Sequence, residues 1–171
     1  MNSITEGPRE TKFLAVEREA AVSGNDKIWK ETAGLTLAGG LTFWAVNFAI
    51  SRTAIAAEYR AALSISYNLM LLEALIGGLL IGLLISFILL RFYDKIPTNN
   101  PILKSVLISS LVLIIITVTI GNPSAFTRSP DVWRYFRIGT VFNLLRILAL
   151  GFAIGYGCKI QNSRINQEVS Q

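Results

Sequence analysis

SISYNLMLLEALIGGLLIGLLISFILL, residues 64–90, decides the class of fold. It is 27 residues long and holds one charged side chain, Glu73. A bilayer core of about 30 Å needs ~20 apolar residues of helix, so this stretch is long enough to span. Three further apolar blocks flank it, at about 33–51, 102–120 and 138–158. The first is the weakest, carrying Thr36, Gly39, Gly40, Thr42 and Asn47, but it has no charge between Glu31 and Arg52. With 52% hydrophobic and 16% charged residues, the chain carries less charge than soluble domains do. The expected fold is an all-α integral membrane protein, a four-helix transmembrane bundle with a short N-terminal helical arm.

The expected organisation has three parts. Residues 1–26 form a polar arm, either a solvated tail or a short surface helix with Phe13, Val16 and Ala20 as a thin apolar stripe. Residues 27–160 form the transmembrane domain, with helices at about 33–51, 64–90, 102–120 and 130–158. Residues 161–171 read as a disordered tail. The arm has no apolar h-region, so no cleavable signal peptide is expected and the first span would target the chain. Ser23-Gly24-Asn25-Asp26 reads as a turn, with Asp26 capping the first span and Trp29 as an interfacial anchor. The connector 52–66 has no glycine or proline. Ile55, Tyr59, Leu63 and Ser66 recur at helical spacing, so it reads as a short surface helix or as extensions of its neighbours. Pro97 and Pro101 close the next connector. Gly121-Asn122-Pro123 should stop the third span, and Ser129-Pro130-Asp131 should start the fourth, whose belt is Trp133, Tyr135 and Phe136.

Basic residues set the expected orientation. Arg9, Lys12, Arg18, Lys27, Lys30, Arg91, Lys95, Lys104, Lys159 and Arg164 fall on one side, and Arg52, Arg60, Arg128, Arg134 and Arg137 on the other. Ten against five places both termini in the cytoplasm, in a plasma membrane. The net charge of +5 needs no nucleic-acid partner.

The chain has no histidine and one cysteine, Cys158. Bis-histidine haem and dithiol redox chemistry are therefore ruled out, and no cofactor or metal is expected. No HExxH or GxSxG motif and no paired intramembrane carboxylate is present. Catalysis is not expected.

Three groups of residues remain as candidates. Charged side chains within a span are costly and usually face the bundle interior with a partner. Glu73 and Arg146, of opposite sign, are therefore expected to pair. At ~1.5 Å rise per residue each lies roughly 14 Å from its end of the span and Asn47 roughly 8 Å from its own, so with Asn143 they are expected to cluster in the outer half of the membrane. That cluster either fixes helix register or lines a path for a solute or proton. Arg52, Arg60, Arg134 and Arg137 form a second group, suited to an anionic lipid headgroup or to a partner's acidic loop. The third is a set of small residues for close packing: Ala74, Gly78 and Gly82, with Ser86 continuing the ladder, and the GxxxG pair Gly151 and Gly155. They can join helices of one chain or of two.

The function expected is that of a non-enzymatic structural, assembly or accessory component, in a homo-oligomer or a larger membrane complex. The alternatives are a small oligomeric transporter or channel passing Glu73 and Arg146, and a binder of anionic lipid headgroups.

Overall fold

The computed structural model describes residues 8–120 and 132–169. Five α-helices follow in order: α1 Pro8–Ser51, α2 Ala54–Leu63, α3 Tyr67–Arg91, α4 Pro101–Ile120 and α5 Val132–Val169. A 3₁₀ turn, Tyr93–Lys95, lies between α3 and α4. Four helices are long and apolar enough to cross a membrane, over Ile28–Ser51, Tyr67–Arg91, Pro101–Thr119 and Trp133–Gln161. The chain is an all-α four-helix bundle whose spans alternate in direction. The arm and the tail therefore share one end, and α2 lies at the other.

Two expectations about the chain's course change, and for the connector 52–66 the first of two stated alternatives holds. Ser23-Gly24-Asn25-Asp26 is not a turn, because α1 runs through it without a break. Gly and Asn are poor helix formers at up to about 1 kcal/mol each, but extending an existing helix needs no new nucleus. The same reasoning covers 161–169, which continues α5 instead of forming a disordered tail. The connector 52–66 is a separate helix, made so by serine and threonine caps. The Thr53 hydroxyl accepts from the Ala56 amide, and the Ser66 hydroxyl accepts from the Leu69 amide. Between them Ser64 takes the left-handed conformation at φ 54°, which turns the chain from α2 into α3. The caps expected at residues 121–123 and 129–131 lie outside the described residues, as do Arg128 and the side chains of the arm.

Lipid tails are as apolar as leucine, so helices in a bilayer are held by close packing rather than by flight from water. α1 sits between α3 and α5 and packs extensively on both; α4 packs on α5; α3 and α4 touch only lightly. The tight seams are built on glycine. A Cβ on Gly78 would lie 2.9 Å from the Phe43 ring and 3.1 Å from the Gly40 carbonyl oxygen. One on Gly82 would lie 3.1 Å from the Thr36 carbonyl oxygen. On α5, a Cβ on Gly155 would lie 2.6 Å from the Ile102 backbone, and one on Gly151 would strike Ser109. Ala74, Gly78, Gly82 and Ser86 are all buried, so this ladder joins helices of one chain. Leu35, Ile85, Leu89, Leu150 and Ile154 fill the core between the seams.

Some of the buried hydroxyls bond back along their own helices, while those of Thr36, Ser86 and Ser105 meet no hydrogen-bond partner among the described residues. Thr32 donates to the Ile28 carbonyl and Ser109 to the Ser105 carbonyl, both at 2.8 Å. At the arm's end of the bundle, Lys104 is buried in the first turn of α4. Its ammonium donates to the Tyr93 carbonyl and lies 3.7 Å from the centre of the Tyr93 ring. Asn100 caps that helix, its side-chain oxygen accepting from the Ile102 amide at 3.0 Å, with Pro101 in the first helical position.

Candidate functional site

The α2 end gathers most of the charged and aromatic candidates. α2 bridges α1 and α5. On the α1 side, Arg60 donates to the Ser51 carbonyl at 3.0 Å. On the α5 side, Glu58 pairs with Arg134 at 3.0 Å and accepts from the Tyr135 hydroxyl at 3.3 Å. Ala56 is buried under the helix. Tyr59 lies over Gly139, where a Cβ would come within 2.7 Å of its hydroxyl oxygen. Only glycine leaves room there for the ring, which packs edge-on against Phe142 and Tyr135.

Arg146 lies beneath this cover. Its guanidinium carbon is 6.0 Å from the Phe43 ring centre and 5.9 Å from that of Phe142. Aromatic faces attract cations at this range, which partly offsets the loss of water. The Nε is buried with no hydrogen-bond partner among the described residues. Burial pushes the Tyr59 phenol above its ordinary pKa, and the nearby Arg146 charge pulls it part of the way back.

Glu73 does not join Arg146. It is exposed on α3, and no ion pair connects the two. The expectation fails on a rotation of one residue. Adjacent positions on a helix point about 100° apart, so Glu73 and Ala74 cannot face the same neighbour. The small ladder through Ala74 lets the α1 backbone approach, and that choice turns Glu73 away. Gly77, one turn on, has nothing within 4 Å of a Cβ position. Leu80 and Leu84 continue this open stripe, bordering a shallow groove against Val112 and Ile116 of α4.

The two amides lie near the level of Arg146, but among the described residues no hydrogen bond joins either of them to it. Phe43 touches both Gly78 and Arg146, so Asn47, one turn further along α1, comes level with Ala74 on α3 and with Phe142 and Asn143 on α5. Asn47 is fully buried, and neither of its amide atoms has a partner among the described residues. Asn143 is half-buried. The expected four-residue cluster is therefore a three-residue level without its carboxylate.

The outer arginines divide in the same way. Arg52 turns back over the Phe48 ring at 5.3 Å, and Arg60 over Tyr67 at 5.1 Å. Arg134 and Arg137 instead border one cleft between α2 and α5. Sequence reading missed Tyr59, Phe43 and Phe142 as the surroundings of Arg146. The i, i+3 spacing of Gly139, Phe142 and the i, i+4 reach to Arg146 was the available signal on α5. Compared with known proteins, the chain matches no family model, no curated protein and no solved structure.

Proposed function

We propose that the chain is a non-enzymatic accessory or assembly component of a membrane complex, acting by lateral association through the open stripe of α3. Glu73 carries this reading. It lies six residues into its span, roughly 9 Å, on a face otherwise made of Leu69, Leu72, Ile76, Gly77 and Leu80. A carboxylate facing lipid costs several kcal/mol by common scales, and a donor on a neighbouring helix removes that cost. Gly77 beside it leaves room for that helix to come close. A path through the bundle is a weaker reading, because Glu73 opens outward while Arg146 lies among aromatic rings. In the proposed orientation both termini are cytoplasmic and the α2 end faces outward from a plasma membrane.

Extraction of the full chain into polymer-bounded native discs tests the association. Wild type should run as an assembly larger than one chain, and Glu73→Leu should run as a single chain with unchanged helicity. A wild type that is already a lone chain, or a Glu73→Leu variant in an unaltered assembly, refutes the proposal.

A further inference from the structure

The cleft between α2 and α5 has a volume of about 420 Å³ and is lined by Ile55, Arg134, Arg137, Ile138, Val141 and Phe142. That is within the range of small-molecule pockets, about 300–1,000 Å³. Its polarity is graded along α5. The two arginines lie toward the end of the span, and Val141 lies one turn deeper than Arg137, roughly 6 Å. Trp133, 68% exposed, marks the interfacial level just above. Half a bilayer has the same profile, charge at the surface and hydrocarbon below.

The two arginines are not equally engaged. Arg134 is paired with Glu58. Arg137 donates its Nε to the Trp133 carbonyl at 3.4 Å, and among the described residues its two terminal nitrogens meet no acceptor. An exposed guanidinium above an apolar wall complements a phosphate that carries an acyl chain. We infer that this cleft binds one glycerophospholipid with an anionic headgroup. Arg137 holds the phosphate, Arg134 is already neutralised by Glu58, and an acyl chain lies along Ile138, Val141 and Ile55. Arg52 and Arg60 take no part, being folded onto Phe48 and onto Tyr67 and the Ser51 carbonyl.

Native mass spectrometry of the full chain in mild detergent tests this, with titration of phosphatidylglycerol, phosphatidylcholine of the same chains, or glycerol 3-phosphate. Wild type should retain one phosphatidylglycerol roughly ten-fold more tightly than phosphatidylcholine, because choline's own cation offsets the phosphate charge that both lipids present to Arg137. Arg137→Gln should abolish that preference, and Arg137→Lys should keep part of it. Val141→Trp, which fills the lower cleft, should weaken both lipids. Glycerol 3-phosphate should form no adduct. Equal retention of the two lipids by wild type, full preference in Arg137→Gln, undiminished binding in Val141→Trp, or saturable glycerol 3-phosphate binding of similar strength would each overturn the inference.

Discussion

The two flanks of α3 are both aliphatic, yet they behave oppositely. Toward α1 the helix presents Ala74, Gly78, Gly82 and Ser86, and the backbones close on one another. Toward α4 it presents Leu80, Ile81 and Leu84, and an open groove of about 230 Å³ remains. Apolar character alone therefore does not pack helices in a bilayer. Leucine tips meet a neighbour no better than they meet lipid, whereas a missing side chain admits a whole backbone face.

The adjacent pair Gly77 and Gly78 offers the strongest way to break this contrast. Gly78→Leu drives a side chain into Phe43 and the Gly40 carbonyl, and should lower stability by about 2–3 kcal/mol or prevent assembly of the bundle. In the isolated single chain Gly77→Leu meets open space and should be neutral, or gain up to about 1 kcal/mol from helix propensity. Thermal melts in nanodiscs measure both; equal losses would mean that the two flanks do not differ. A second seam sharpens the rule. Gly155→Leu strikes the Ile102 backbone and should cost about 1–3 kcal/mol by the same assay. A neutral outcome there would confine close packing to the α1–α3 pair.

A smaller effect reports the burial of Tyr59 on α2 over Arg146. Burial holds the Tyr59 phenol above its ordinary pKa of 10.0, against the opposing pull of Arg146. The folded chain then holds that proton more tightly than the unfolded chain. The contribution is whole below about pH 10 and is lost as the pH climbs through the raised value. Wild type should therefore lose stability on the alkaline side more steeply than Tyr59→Phe. Identical slopes would place Tyr59 in water.

The smallest expected value is a coupling near zero. In a double-mutant cycle, Glu73→Gln and Arg146→Gln should add within about 0.5 kcal/mol, as separated sites do. A clearly non-additive result would bring the two charges together and restore a shared polar interior.

Much of this fold is legible in the sequence because span length and charge exclusion are strong constraints. The four blocks, the small-residue ladder and the inward face of Gly139, Arg146 and Gly157 can all be read from spacing. Glu73 is not readable that way. Its stripe and the ladder's stripe are adjacent, and the rule that charges face inward competes with the rule that small residues do. The ladder offers contact over four turns, and the carboxylate offers one interaction, so the ladder prevails. The covering of Arg146 is also hidden, since it depends on Tyr59 of α2 reaching Gly139, 80 residues further along the chain. The end of α2 turned on Thr53, Ser64 and Ser66, whose capping role needs no glycine or proline to announce it.

The unbroken course of α1 makes it a lever. Twenty residues of helix, 8–27, continue the span that begins at Ile28, a length of roughly 30 Å. No hinge separates the two parts, so the arm must swing whenever the span tilts. A tilt of about 10° carries its tip roughly 5 Å sideways. Helices tilt to match bilayer thickness. The far end of the arm thus converts a change of thickness, too small to alter any contact inside the bundle, into a displacement larger than a side chain.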